Sequence, residues 1–293
     1  MPMNPRLLRP RSTIHPDAAA WATRVVANGG SVSGTTLSAV SKFCASIASA
    51  GIRDRFYRLN LFCGTGLSAC LVPLYRGPSL GGTQFGNTTD TNNGPFVSGD
   101  YAETGASGGL TGNGSSKYLV TGLTTAALPS LATGHLSSYA MTGFGASTAY
   151  GLVASFSSGF VGTNYYGIEA NAGNVAGTMS GSWGNIFTGR HQVTSANGAG
   201  AGFVAASRIS SEGNRLYRNG SQIGTTNTAT VIPAANDGAG FAVFASLAQS
   251  GSTAFVASVR MGAYSIGLGM TAAQVLSYYN AIQTFQTALS RNV

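Results

Sequence analysis

Charge is scarce in this 293-residue chain, which sets sixteen Lys/Arg against eight Asp/Glu. So low a charged fraction, beside 43% hydrophobic residues, excludes a charge-rich disordered chain and supplies a sizeable core. Only Lys42 and Lys117 are lysines, and neither follows a glycine, which excludes a Gly-Lys phosphate loop. Cysteine is sparse and odd in number (Cys44, Cys63, Cys70), which argues against a disulfide framework. Cys44 falls on an apolar helix face and reads as a small buried hydrophobe. Cys63 and Cys70 lack the spacing and histidine partners of a zinc site. No apolar run reaches the length of a membrane span. The basic start Met1-Pro2-Met3-Asn4-Pro5-Arg6 leads into no apolar stretch, so no signal peptide is expected and synthesis in a cytoplasm is.

Catalytic groups are equally thin. His15, His135 and His191 are the only histidines, and each reads as incidental rather than as a catalytic base. Gly105-Ala106-Ser107-Gly108-Gly109 matches the nucleophile-elbow pattern, but it sits in a glycine-rich turn region instead of between a strand and a helix. Glycoside hydrolysis needs two carboxylates facing one cleft, which sandwich-type glycosidases place on one strand; beyond residue 76 the acids are Asp90, Asp100, Glu103, Glu169, Glu212 and Asp237, and none are so paired. Asp90 with Asn92 and Asn93, or Asp100 with Glu103, are the candidate calcium ligands, and neither group makes a motif. The reading is a non-enzyme with no metal and no cofactor.

Charge is also unevenly spread. Residues 1–76 hold nine Lys/Arg against Asp17 and Asp54, whereas the remainder is nearly balanced. Residues 1–15, with Arg6, Arg9 and Arg11, read as an extended basic arm that docks on a partner. Pro16-Asp17 suits a helix start, with Trp21, Val25 and Val26 as its buried stripe and Asn28-Gly29-Gly30 as its stop. Ser33 or Thr35 can cap a second helix carrying Leu37, Val40, Cys44 and Ile47 on one face. Residues 53–62 read as a third helix with Phe56, Leu59 and Phe62 inward. The segment 16–76 is thus expected to be a small helical docking domain, and 77–95, rich in Gly, Pro and Asn, a linker.

From residue 96 to 293 short apolar runs alternate with Gly/Ser/Asn/Thr clusters, the pattern of a β-sandwich. Expected strands include 117–120, 136–141, 150–156, 165–170, 175–179, 203–209, 215–218, 241–245 and 255–260. Asn219-Gly220 marks a type I′ hairpin turn. Thr271 with Gln274 makes a capping box, and Val275, Tyr278, Tyr279, Ile282, Phe285 and Leu289 form the stripe of a closing helix. Tyr165, Tyr166, Trp183 and Tyr217 are the candidate glycan or interface aromatics, with Tyr139, Tyr150 and Phe187 beside them.

The stretches Phe96-Val97-Ser98-Gly99-Asp100-Tyr101, Gly109 to Leu119 and Leu216-Tyr217-Arg218-Asn219-Gly220, together with Tyr264 to Thr271, resemble the concanavalin-like, laminin-G-like jelly roll of bacteriophage structural proteins. The resemblance covers about four-fifths of the chain, and Leu71-Val72-Pro73-Leu74 extends it into the helical segment. It implies a virion component, whether head decoration, tail or fibre protein. Its partners would be other capsid or tail proteins, and it would form a homo-oligomer, with a trimer expected. The wider fold also implies the alternative of an adhesin that binds a host surface glycan, commonly with calcium, although the acidic cluster for calcium is missing here. The expectation is therefore a mainly β jelly-roll sandwich preceded by helices, located in the virion and without a membrane segment.

Overall fold

The computed structural model describes residues 14–143, 150–156, 164–171, 175–185, 192–196, 200–210, 212–228 and 238–293. Arg6, Arg9, Arg11, Phe187, His191 and Asp237 lie outside the described residues.

Two helices open the chain. Helix α1 (Pro16–Ala27) has Pro in its first turn, Asp17 at its positive end and the His15 side chain accepting from the Asp17 N–H. Its buried stripe is Ala18, Trp21 and Val25; Val26, expected inward, is exposed. Helix α2 (Gly34–Ser49) is capped by Ser33 and buries Val40, Phe43, Cys44 and Ile47. The third helix expected over 53–62 is instead a short 3-10 turn (Arg53–Arg55) followed by strand β1 (Phe56–Asn60). All five of its residues are buried, because β1 pairs antiparallel with a strand some 200 residues away. A one-turn helix α3 (Leu67–Cys70) follows.

The remaining strands are β2 (Thr91–Asn93), β3 (Tyr101–Ala102), β4 (Gly109–Thr111), β5 (Tyr118–Thr124), β6 (Gly134–Ala140), β7 (Tyr150–Phe156) and β8 (Asn164–Ala170). Then come β9 (Met179–Asn185), β10 (Gln192–Ser195), β11 (Gly202–Ile209), β12 (Gly213–Arg218), β13 (Ser221–Asn227), β14 (Gly240–Val243), β15 (Ser246–Ala248), β16 (Thr253–Ala254) and β17 (Arg260–Gly267). Helix α4 (Ala272–Ala288) closes the chain with the expected Thr271–Gln274 box. Two expected strands are displaced. Residues 175–179 only lead into β9, and 255–259 are a loop before β17. The stretch expected as a linker contributes β2 to a sheet and buries Phe85 and Asp90.

The strands form two sheets. The first runs β13-β12-β11-β6-β17-β4-β3, with β1 also on β17; the second runs β10-β9-β8-β7-β14-β5-β2, with β15 and β16 attached. All pairings are antiparallel except that of β15 with β7. The fold is therefore mainly β, a jelly-roll type sandwich with small N-terminal helices and a C-terminal helix.

Two apolar clusters divide the interior into three layers. Between the sheets lie Leu136, Val204, Leu216 and Ile266 of the first and Leu119, Leu152, Ile168, Met179 and Phe241 of the second. On the other side of the first sheet, Tyr139, Phe203, Ala205, Tyr217 and Ala263 meet Trp21, Phe43, Tyr278, Ile282 and Phe285 from α1, α2 and α4. The Tyr278 ring meets Phe43, Phe56 and Phe203 edge to face, and its OH accepts from the Ser137 hydroxyl, which ties this helical layer to the sheet. The first sheet is thus covered on both faces. Among the described residues, no helix packs on the outer face of the second.

Candidate functional site

Strand alternation decides which side chains reach that outer face. In β8, Tyr166, Ile168 and Ala170 join the inter-sheet core, so Tyr165, Gly167 and Glu169 point the other way. In β9, Met179 and Trp183 are core residues, which turns Ser180 and Ser182 outward. Register then assembles rows across the strands. Gly151, Glu169, Ser180 and Thr194 stand side by side on β7, β8, β9 and β10. Ala154, Gly167 and Ser182 form the next row.

The chemistry of this face centres on Glu169. Its Oε2 accepts from the Ser180 hydroxyl at 3.5 Å, with Tyr165 and Ser246 nearby. The Tyr165 ring lies across Gly167, where any Cβ would collide with it. Burial pushes the Glu169 carboxyl above its ordinary range, while the neighbouring Tyr165 and Ser180 hydroxyls pull it partly back. Burial likewise raises the Tyr165 phenol, with the neighbouring Glu169 charge adding to the effect. Glu169 is partly exposed and Thr194 exposed, whereas Tyr165, Ser180 and Ser182 are buried behind them. A carboxylate acceptor among hydroxyls that both donate and accept is chemistry suited to polyhydroxylated ligands.

The aromatic residues expected as stacking platforms are placed differently. Tyr166 and Trp183 face the inter-sheet core, edge to face with ring centroids 5.1 Å apart, and the Trp183 indole N–H donates to the Leu131 carbonyl. Tyr217 lies under the helical layer. Tyr165 is on the outer face but only 2% exposed. None of the four offers an open ring face. Burying these rings contributes more to the core than an exposed platform would to a ligand, which corrects the surface assignment. Tyr139 is also buried, its OH donating to Gln283 Oε1.

The other acids are engaged elsewhere. Asp90 is surrounded by Arg58, Asn60 and Tyr264. Asn92, its expected co-ligand for calcium, instead bonds the Phe96 backbone in both directions. Asp100 pairs with Lys117 at 2.5 Å and caps the Val97 N–H. Glu103 accepts from Thr36 Oγ1 at 2.6 Å and from the Gly64 N–H at 2.9 Å. Ser107 is exposed in a turn closed by Gly105 and Gly108, without the strand and helix of a nucleophile elbow. His135 is buried in β6 with both ring nitrogens bonded. Among the described residues, no cluster of His, Cys, Asp and Glu could hold a metal ion. None of their helices is long and apolar enough to cross a membrane.

Sequence reasoning missed Glu169 as a centre because its partners come from other strands. The alternation of Tyr165-Tyr166-Gly167-Ile168-Glu169-Ala170 was the available signal, since it puts the one acid of the strand opposite the apolar side.

Comparison with known proteins bears on the fold. No family model matches the chain, and no curated protein matches it. Among solved structures, the receptor binding domain of botulinum neurotoxin C/D mosaic serotype is similar over 78% of this chain and 52% of its own, at TM-score 0.53 and 10% identity. A mutant of HCR/D is similar over 78% of this chain and 53% of its own, at TM-score 0.50 and 10% identity. A NanB sialidase mutant from Streptococcus pneumoniae shares 13% identity over 56% of this chain, at TM-score 0.42. The chain spans about half the length of the first two structures and 26% of the sialidase.

Proposed function

We propose that this chain is a carbohydrate-binding module whose sugar site is the outer face of the second sheet. The observation that carries this reading is the row Glu169, Ser180 and Thr194, a carboxylate and two hydroxyls aligned across three strands on the face opposite the helices. Sugar hydroxyls would donate to Glu169 and exchange hydrogen bonds with Thr194, while the Ser180 hydroxyl donates to the carboxylate from behind. The likeness to a structure described as a receptor binding domain is in keeping with a recognition role. Binding without cleavage is supported by Asp100 and Glu103, the close pair of acids in the sequence, each being held by a structural partner instead of facing a cleft together.

Affinity electrophoresis through gels containing bacterial or host polysaccharides tests this reading. Retarded migration in at least one gel is expected. Unchanged mobility across a broad set of neutral and acidic polysaccharides would count against it.

A second reading, a bacteriophage virion component, is favoured by one observation, the concentration of basic residues in 1–76. In that reading Arg6, Arg9 and Arg11 dock the chain on capsid or tail proteins, and the sandwich faces outward in a homo-oligomer. Removing residues 1–15 should abolish incorporation into particles while the sandwich stays folded. Normal incorporation of the shortened chain would contradict a docking arm.

A further inference from the structure

Beside helix α1, three arginines and one aspartate line a cavity of about 220 Å³. Arg24 comes from α1, Arg53 from the turn before β1, and Arg76 from the loop after Tyr75. Ser79, Leu80, Gly81, Gly82 and Gln84 form the exposed rim.

The charges do not balance. Asp17 is held by Arg53, with Nε to Oδ2 at 2.9 Å and Nη2 to Oδ1 at 3.4 Å. Arg53 is further fixed by the Gly77 carbonyl at 2.6 Å and lies 3.7 Å above the Tyr75 ring. Arg24 and Arg76 have no carboxylate partner among the described residues. Arg24 spends one Nη on the Pro73 and Leu74 carbonyls, and Arg76 spends one on the Gly86 carbonyl. The Nε of each is buried without a hydrogen-bond partner. Burial and the charge of Arg76 hold the Arg24 guanidinium below its usual range, and the nearby Asp17 offsets only part of this. Two half-buried like charges around a cavity are destabilising unless an anion sits between them. Guanidinium forks match tetrahedral oxyanions.

We propose that this cavity binds a small oxyanion between Arg24 and Arg76, the dianionic phosphoryl or monoanionic sulfuryl group of an ester. Its volume lies below the roughly 300–1,000 Å³ of drug-sized sites, which restricts the occupant to the anionic group and little more. A second cavity of about 240 Å³ opens on the other side of Arg24, lined by Ala27, Asn28, Thr88 and Thr89. It gives the remainder of an ester a place to lie.

Titration calorimetry of the full chain with inorganic phosphate, and separately with inorganic sulfate, tests the proposal at constant ionic strength set with chloride. Saturable binding of at least one of them is expected. Phosphate binding that strengthens as pH rises through its second ionisation, beside flat sulfate binding, would mark the dianion as the ligand. Arg76→Gln should weaken binding at least tenfold, about what losing one charge-assisted hydrogen bond costs. Leu80→Glu places a carboxylate on the exposed rim, where it does not disturb the core, and should weaken binding at least threefold. Heat no greater than the chloride control with either anion would overturn the proposal. So would equal affinity of the wild type and the Leu80→Glu variant, whether or not Arg76→Gln folds.

Discussion

Arg58 and Asp90 form an ion pair in which both side chains are fully buried, with Nη2 2.6 Å from Oδ1. The same oxygen accepts from Arg58 Nε at 2.9 Å and from the Tyr264 hydroxyl at 2.6 Å, while Oδ2 accepts from Asn60 at 2.8 Å. Arg58 also donates to the Phe85 and Asn87 carbonyls. Burial alone would lower the Arg58 pKa, but the fields of Tyr264 and Asp90 outweigh it and raise it. The network ties β1, β17 and the 85–90 stretch together, and it satisfies each charge it buries.

Asp90→Ala leaves the Arg58 guanidinium buried and uncompensated, so it should cost about 3–5 kcal/mol. Urea unfolding of the two proteins measures this. A loss below about 1 kcal/mol would show the pair to be dispensable.

His135 supplies a pH signature. Its Nδ1 lies 2.7 Å from the Leu268 carbonyl and must donate to it, and Nε2 accepts from the Ser265 hydroxyl at 2.8 Å. Burial holds the ring neutral and lowers its pKa to about 4. Below pH 6.5 the unfolded chain takes up a proton that the folded one refuses. The stabilisation is therefore complete above pH 6.5, falls as the pH drops, and levels off below 4. Its size is about 3 kcal/mol. His135→Gln should remove this slope from the difference between wild-type and variant stabilities across pH 4–6.5. Parallel profiles would contradict the neutral, buried ring.

Trp183 crosses the sandwich to cover Gly134, where an added Cβ would lie 1.9 Å from the indole. Trp183→Ala should lose about 3–5 kcal/mol and Gly134→Ala about 1–3 kcal/mol. Thermal melts followed by near-ultraviolet circular dichroism read both. A Trp183→Ala variant that melts like the wild type would restore this residue to the surface.

Local signals in the sequence were reliable and distant ones were not. Asn219 and Gly220 take φ of 47° and 80°, as a type I′ turn demands, and Arg218 pairs with Ser221 around them. The caps of α2 and α4 and the burial of Cys44 in α2 were readable for the same reason, since each depends on residues within one or two turns. Strand β1 was not readable, because Phe56 and Leu59 fit helical spacing and only pairing with Tyr264 to Gly267 makes them a strand. The aromatic residues were misplaced although alternation marks their face: Tyr166 shares its parity with Ile168 and Ala170, and Trp183 with Met179. Arg58 and Asp90, 32 residues apart, carry no local mark of their pairing, which arises only when β1 joins the first sheet.

The central claim is a sugar site at Glu169, and a glycan array probed with wild type, Glu169→Gln and Thr194→Ala tests it most directly. The account predicts selective wild-type binding to a small set of glycans, reduced at least tenfold by Glu169→Gln and severalfold by Thr194→Ala, with melting temperatures of the variants showing that each remains folded. Binding by the folded Glu169→Gln variant equal to that of the wild type would contradict it, as would a wild type that binds no glycan.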